Sequence, residues 1–346
     1  MRTPHILIIR FSALGDVAMA VPVVFSLAKT YPNLRVTVLS KPFAAPLFEG
    51  LAPNVGFMAA DTKGEYRGVK GLNALHRRLL AKRFSCVADF HDSLRSKYLR
   101  MMFSAARTPV HHINKHYLGK RWLTSATDKL MERQPTSFEN YAEVLAKLGY
   151  PVEVNFHSIF PPQGGDLSAL PAPLDAKPEG QRWIGVAPFA PHPEKTYPPD
   201  KMGQVMARLL AEDPRCRILL FGAKGVEQSW IDSYAERFDR VVNASALAKG
   251  LREELIVMSH LDVMVSMDSE NMHLASLTGT PVVSVWGATH PYAGFMGWGQ
   301  SEQNAVQTDL PCRPCSVFGN KKCLRGDIAC LQNIPPSAIA EGWRPC

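Results

Sequence analysis

Short apolar runs alternate with longer stretches of helical spacing along most of this chain. In the first half, the runs at 5–10, 35–39 and 85–90 predict strands, and the stretches at 16–29, 66–82 and 93–104 predict helices. Short continuous apolar runs are typical of strands buried on both faces, and the helices between them would cover the sheet. The pattern therefore favours an α/β fold with a parallel sheet.

A segment rich in Pro, Gly and Ala, at about 161–178, interrupts this alternation and has the composition of a linker. After it the alternation of predicted strands and helices resumes. Two successive units of similar size predict two doubly wound domains, at 1–165 and 181–330, joined by a linker at 166–180 and followed by a segment at 331–346. The strands are 183–187, 217–221, 262–266 and 281–286, and the helices are 200–211, 226–238, 251–259 and 272–277.

Composition narrows the class of protein. The 346 residues suit two domains better than one, and 46% hydrophobic with 20% charged residues argues against disorder. The net charge of +8 favours anionic partners, although the same surplus serves solubility alone. Arg10 and Asp16 interrupt the apolar start, which argues against a signal peptide, and no apolar run is long enough to span a bilayer. Seven cysteines, mostly late in the chain, do not form an evenly spread secreted framework, so we expect a cytoplasmic protein.

The loop after the first predicted strand carries the first candidate for chemistry. Ligands in such sheets bind beyond the carboxyl ends of the strands. Gly15 permits a tight turn there, and Asp16 opens a helix, where its carboxylate is either a general base or a helix cap. The glycines match neither a dinucleotide fingerprint nor a P-loop, which argues against oxidoreductases and NTPases.

The second candidate is the stretch 266–281. Asp268 and Ser269 stand where a predicted strand ends and a helix begins, and the free N–H groups of a helix start bind anions. His273 lies early in the same helix and could donate to a phosphate or a sugar hydroxyl. A capped helix with a packed histidine is the structural alternative.

The third and fourth candidates are Lys195 and Glu227. Lys195 lies in the Pro-rich loop 187–198 and could neutralise a diphosphate leaving group, or be a solvated surface lysine. Glu227 follows the turn of Phe221, Gly222 and Ala223, and could bind a ribose or simply lie on a helix face.

In this order the loops resemble glycosyltransferase family 9, the ADP-heptose:lipopolysaccharide heptosyltransferases. The resemblance covers nearly the whole chain and is most specific in its second half. Its four parts are 8–16, the Lys195 loop ending in Tyr197 and Pro198, the turn 221–223 with Glu227, and the region from Asp268 through His273, Gly279 and Pro281 to Trp286 and Pro291.

The resemblance implies a GT-B fold, in which two Rossmann-like doubly wound domains face a central cleft and the last segment crosses back toward the first domain. It implies inverting, metal-independent transfer of a heptose or related sugar from an ADP-sugar to a lipopolysaccharide core or lipid A-linked acceptor, with no cofactor. Asp16 would be the base, and Lys195 would hold the departing diphosphate. The implied donor contacts are Ser12, Ala13, Gly15, Glu227, Asp268, Ser269, Glu270, Asn271, Met272 and His273.

Two departures from the family leave the donor open to a different nucleotide-sugar. Glu270 stands where the family commonly has Gly, and the Lys195 loop offers Pro191, His192 and Pro193 in place of hydroxyl residues. The anionic glycolipid acceptor would bind the N-terminal domain. Its candidate contacts are Arg10, Lys63, Arg67, His91, His111, His112, Lys115, His116 and Arg121. The histidine-rich run at 111–116 could instead bind a metal or be a solvated loop.

Four late cysteines, Cys312, Cys315, Cys323 and Cys330, are a possible structural metal site, with free thiols and disulfides as alternatives. We assign them no catalysis and assign no catalytic metal. A non-hydrolysing nucleotide-sugar epimerase is the alternative enzyme, because it uses a similar two-domain architecture. No nucleic-acid-binding motif is present, so we expect no nucleic-acid partner. A basic enzyme with a lipid-linked acceptor is expected at the cytoplasmic face of the inner membrane, as a peripheral contact.

Overall fold

The computed structural model describes residues 3–223 and 225–342, and the chain forms two compact units. The first unit is Met1–Lys115 with Pro135–Ile159, and the second is His116–Gln134 with Phe160–Cys346. The segment His116–Gln134 therefore belongs to the second unit, although it lies within the N-terminal domain predicted from chain order. The predicted boundaries at 165, 180 and 330 stay predictions.

The first unit contains a five-stranded parallel sheet in the order β3-β2-β1-β4-β5. Every residue of β1 is buried, as expected for a strand covered on both faces. Its strands are β1 His5–Ile9, β2 Arg35–Ser40, β3 Val55–Ala59, β4 Cys86–Asp89 and β5 Val110–His112. Its helices are α1 Leu14–Ala18, α2 Ala20–Thr30, α3 Gly68–Leu80, α4 Leu94–Ala105 and α6 Ser137–Lys147.

The helix predicted over 16–29 is two helices, α1 and α2, which meet at Met19. Pro22 explains the break. Proline has no N–H and its ring clashes with the carbonyl four residues earlier, so it is tolerated only in the first turn of a helix. Pro22 occupies that first turn in α2.

The second unit contains a six-stranded parallel sheet in the order β11-β10-β9-β6-β7-β8. Helix α13, Pro336–Glu341, packs on helix α7, Pro199–Glu212, and so lies against its own unit. The return of 331–346 toward the first unit stays a prediction, and residues 343–346 lie outside the described part of the chain. The strands are β6 Arg182–Ala187, β7 Cys216–Leu220, β8 Val241–Asn243, β9 Val263–Met267, β10 Val282–Trp286 and β11 Ala305–Gln307. The helices are α5 Tyr117–Leu123, α7 Pro199–Glu212, α8 Val226–Arg237, α9 Ala244–Leu247, α10 Leu251–Met258, α11 Glu270–Leu277, α12 Ala329–Gln332 and α13 Pro336–Glu341.

The order of strands fixes where a ligand site can form in each unit. The chain reverses its direction of growth between β1 and β4 in the first sheet, and between β6 and β9 in the second. Crevices open beyond the carboxyl ends of strands at such switch points. The loops singled out from the sequence around Asp16, Lys195 and Asp268 follow three of these four strands. The predicted α/β class with two parallel sheets is confirmed.

No helix within 3–223 and 225–342 is both long and apolar enough to cross a membrane.

Candidate active site

Arg10 joins the two strand ends at the switch point of the first unit. It directly follows β1 and is 7% exposed. Its Nη1 donates a hydrogen bond to the carbonyl of Phe90 at 2.8 Å, and its Nη2 lies 2.5 Å from Asp16 Oδ2. A buried guanidinium needs such partners, because an unpaired buried charge is costly. Arg10 therefore fixes the Asp16 carboxylate beside the carboxyl ends of β1 and β4.

Asp16 lies in the first turn of α1, where it also caps the helix. Its Oδ2 accepts a hydrogen bond from the N–H of Ala13 at 3.1 Å. The capping role considered from the sequence is therefore present. The side chain of Asp16 is still 30% exposed, so the carboxylate that caps the helix also reaches solvent. Ser12 and Ala13 lie in the short loop before the helix, and Gly15 lies in its first turn, not in a tight turn before it.

His91 is held on the turn after β4 by a buried ionic network. Asp89 is fully buried, accepts from the N–H of His91 at 2.9 Å, and pairs with Arg100 at 3.2 Å. Burial, followed by the charges of Arg10 and Lys115, lowers the pKa of His91 to about 3. The imidazole is therefore neutral at physiological pH, and its Nδ1 accepts from the N–H of Phe11 at 3.4 Å.

Lys195 and Asp268 form a buried ion pair in the second unit. Lys195 Nζ lies 3.0 Å from Asp268 Oδ2, and the two side chains are 12% and 7% exposed. The interpretation of Lys195 as a solvated surface lysine is therefore wrong. Thr289, which follows β10, donates from Oγ1 to the same carboxylate oxygen at 2.7 Å. The ends of β6, β9 and β10 thus meet at one carboxylate.

Helix α11 begins directly after this pair. Ser269 occupies its N-cap position without capping it through its side chain, and its Oγ lies 3.2 Å from that of Ser266. Met272 is fully buried, so only its backbone can serve a ligand at this end. His273 is also buried, and Asn271 is half-buried. The helix start offers N–H groups that no side-chain oxygen of Ser269 occupies, next to a lysine ammonium.

Three carboxylates gather near the turn that follows β7. Glu227 Oε2 accepts from the N–H of Ala223 at 2.8 Å and so shapes that turn. Glu270 is exposed at the start of α11, yet desolvation, followed by the charges of Glu254 and Glu227, raises the pKa of its carboxyl. The two neighbouring carboxylates thus disfavour its ionised form. The pKa of Glu254 is also raised by burial.

A loop that follows β11 covers the Lys195–Asp268 pair, and the sequence did not predict this role. Arg313 is buried and donates to the carbonyls of Gly287 at 2.6 Å and Thr289 at 2.9 Å. Gly319 lies against the stem of Lys195, since a Cβ added there would stand 2.3 Å from Lys195 Cδ. Thr289 lies within the resembling region 286–291, but Arg313 and Gly319 carry no motif that points to the site.

The cysteines of this loop are free thiols. Cys312 is exposed, Cys315 and Cys323 are half-buried, and Cys330 is buried, where burial raises its pKa to about 11. Across 3–223 and 225–342, no group of three or more His, Cys, Asp or Glu is placed to hold a metal ion. No disulfide joins the four cysteines, and the metal alternatives for them and for 111–116 stay predictions.

Some of the candidate acceptor residues come together in the first unit. Arg10, Asp16 and His91 meet at its switch point, and Lys115 Nζ donates to the carbonyl of Asp92 at 3.1 Å on the same turn. His112, on β5, pairs in register with Asp89 and so lies beside this turn. The remaining candidates are placed as follows. Lys63 and Arg67 are exposed before α3, His111 lies on β5 instead of a loop, and His116 and Arg121 belong to the second unit, before and on α5.

Comparisons with known proteins agree on one family. The sequence pattern of glycosyltransferase family 9 (heptosyltransferase) matches residues 72–323. Lipopolysaccharide heptosyltransferase 3 of Escherichia coli is 22% identical over 279 residues, covering 80% of this chain and 81% of that protein.

Solved structures establish the fold. E. coli heptosyltransferase WaaC, determined with ADP, superposes with a TM-score of 0.64 at 20% identity, covering 86% of this chain and 92% of that chain. A family 9 glycosyl transferase from Veillonella parvula gives a TM-score of 0.71 at 17% identity, covering 99% and 96%. The two sheets are the two Rossmann-like halves of the GT-B class.

Proposed function

Since the chain belongs to glycosyltransferase family 9, we propose that it transfers a heptose or related sugar from an ADP-sugar to a lipopolysaccharide core or lipid A-linked acceptor. The observation that supports this proposal most is the buried Lys195–Asp268 pair at the start of α11. It combines a cation, a helix N-terminus and a carboxylate, which suit a sugar attached to a diphosphate.

Asp16 would act as the general base on the acceptor hydroxyl. Its carboxylate takes the proton as the hydroxyl oxygen attacks the anomeric carbon, and the bond from that carbon to the diphosphate oxygen breaks. Direct attack of this kind inverts the configuration at the anomeric carbon. Arg10 holds the carboxylate in place at 2.5 Å, beside the end of β1.

Lys195 and the N–H groups at the start of α11 would take up the charge of the departing nucleoside diphosphate. Preorganised donors stabilise developing charge most when they are fixed before the reaction. Asp268 fixes the Lys195 ammonium, with Oδ2 at 3.0 Å from Nζ. Thr289 in turn fixes Asp268 by donating a hydrogen bond of 2.7 Å to the same oxygen. The ammonium thereby fills the charge-neutralising role without a metal ion or other cofactor.

Asp268 would also bind the donor sugar, and Glu227 the ribose. Glu270, which is exposed at the start of α11, would form a hydrogen bond with a sugar hydroxyl. The enzyme would work in the cytoplasm, as a peripheral protein at the inner membrane, where a lipid-linked acceptor is presented.

A donor panel tests the nucleotide assignment. ADP and ADP-heptose should raise the thermal midpoint of the protein more than UDP- or GDP-sugars do, because a ligand that binds the native state stabilises it. Stabilisation by UDP-sugars alone would contradict the ADP-sugar donor while leaving the family unchanged. A change in the sugar without an acceptor would instead indicate an epimerase.

A further inference from the structure

Helix α3 and the residues that flank it carry a concentration of positive charge that, apart from the acceptor candidate Arg67, the proposed chemistry does not use. Between Tyr66 and Ala88 the sequence has six Lys and Arg residues and no Asp or Glu. The net charge of the whole chain is only +8. The six positive charges of this short stretch of the first unit are therefore nearly as many as the net charge of the whole chain.

The two faces of α3 differ sharply. Leu72, Leu75 and Leu79 are buried in the core of the first unit, as their helical spacing requires. On the outward side, Lys70 and Arg77 are exposed, and Val69 is 61% exposed. At 100° per residue these three positions fall within about 100° of one another around the helix axis, so they share one face.

The cations of this face are not neutralised by the protein. Neither Lys70 nor Arg77 forms an ion pair with a described residue, and Lys82 just beyond the helix is likewise exposed and without an ion pair. The apolar side chains of Val69 and Leu80, which are 61% and 38% exposed, stand among them. A solvated cationic face needs no such apolar residues.

We propose that this outward face of α3 docks on an anionic lipid bilayer. Lysine and arginine side chains attract the headgroups of anionic lipids, and neighbouring apolar side chains enter the boundary between headgroups and acyl chains. The proposal rests on the proposed function, because a lipid-linked acceptor would bring the enzyme to such a surface. It identifies the element that makes the contact.

Vesicle sedimentation tests the surface without any sugar donor or acceptor. The full chain should bind vesicles of phosphatidylglycerol mixed with phosphatidylcholine, bind pure phosphatidylcholine weakly, and lose binding as salt is added. The double variant Lys70→Glu/Arg77→Glu should reduce partitioning onto the anionic vesicles roughly tenfold or more, since each cation near such a surface contributes about fivefold.

A matched control distinguishes the effect of this face on vesicle binding from the effect of the protein's net charge. Arg208→Glu/Lys249→Glu makes the same change in charge at two exposed positions of the second unit, and should keep partitioning within about twofold. Thermal midpoints would verify that both variants fold, and Lys70→Gln/Arg77→Gln is the milder alternative. An equal loss in the control, unchanged binding by the α3 variant, or binding to duplex DNA in place of vesicles would each overturn the proposal. Vesicle binding without any sugar transfer would instead contradict the proposed function alone.

Discussion

At the scale of single residues, the two switch points are each organised by one carboxylate and one cation. Asp16 pairs with Arg10 in the first unit, and Asp268 pairs with Lys195 in the second. The side chain of Asp16 is 30% exposed in the first pair, whereas that of Asp268 is only 7% exposed in the second. This difference suits the proposed roles, because a base must meet its acceptor while a positioning carboxylate need not.

Asp16→Asn should lower the rate of transfer by about 10²–10⁴ and leave ADP affinity within about twofold, because the amide cannot take the proton. Asn retains an oxygen that can accept from the N–H of Ala13, so the helix cap is preserved. Transfer rates and calorimetric ADP titrations measure the two effects. The control is Asp61→Asn, which alters an exposed carboxylate that also accepts from backbone N–H groups. Full activity in Asp16→Asn would remove this residue as the base.

Lys195→Ala should lower the free energy of unfolding by about 3 kcal/mol and weaken ADP binding, because it leaves the buried Asp268 carboxylate without its cation. Lys177→Ala is the comparison, since its pair with Asp262 is partly exposed and should contribute less than about 1 kcal/mol. Urea titrations of both variants measure the difference. Equal losses would show that burial of the Lys195 pair carries no special weight.

His91 gives a prediction about pH. An unfolded histidine binds a proton below about pH 6.5, whereas native His91, with its pKa lowered to about 3, does not. The neutral imidazole therefore contributes stability above pH 6.5 that is lost as the pH falls toward 3. Between pH 7 and pH 5, the free energy of unfolding of His91→Gln should fall by about 1–2 kcal/mol less than that of wild type. Urea titration measures both values. A pH dependence of His91→Gln identical to that of wild type would contradict the assignment.

At the scale of elements, the loop 312–319 packs against the side chain of Lys195. Arg313 ties this loop to the strand end of β10, and Gly319 closes on the lysine stem. Lys195 is therefore contacted by a segment that lies beyond the motifs singled out from the sequence. Cys312 and Cys315 lie in the same loop, whereas Cys323 follows it and Cys330 lies on α12.

Gly319→Ala should weaken ADP binding several-fold, because the added methyl group would meet Lys195 Cδ at 2.3 Å. Gly319 also has a φ of +75°, where a side chain costs about 1–2 kcal/mol. Gly326→Ala isolates that backbone cost, since its φ is +78° and the space around it is open. Calorimetry with ADP should show weaker binding for Gly319→Ala only. Equal affinities in the two variants would show that the loop does not position Lys195.

The strands and helices with strong patterns could be predicted from the sequence, and the short ones could not. Strands such as β1 and β10 are continuous apolar runs, so each begins close to its predicted position. The edge strands β5 and β11 have only three residues each, which is too short for a pattern to show. The division of 16–29 into α1 and α2 follows from Pro22, a residue whose effect the helical spacing masks.

At the scale of the whole molecule, chain order and spatial grouping differ. The segment His116–Gln134 interrupts the first unit in sequence but belongs to the second. Lys129 shows how it is held, because its Nζ donates to the carbonyl of Pro314 at 2.6 Å. No local pattern in the sequence foretells a contact across so many residues. The same limit applies to Arg121, which α5 places in the second unit.

The site was predictable where chemistry follows the end of a strand, and not where distant loops complete it. Asp16, Lys195 and Asp268 could be singled out because unusual polar residues at such ends have few structural reasons to be there. The burial of Lys195 and its contact with Gly319 arise from tertiary packing, which residue spacing does not encode. The assignment of roles to these residues stays a prediction.

A direct transfer assay tests the proposed transfer of a heptose from ADP-heptose. The protein is incubated with ADP-heptose and a lipopolysaccharide acceptor that lacks its outer heptose, and ADP release and acceptor mass are followed together. We predict that the acceptor gains one heptose for each ADP released, and that Asp16→Asn lowers this rate at least about 100-fold. An acceptor that gains no heptose from ADP-heptose but does gain a sugar from another nucleotide donor would contradict the account.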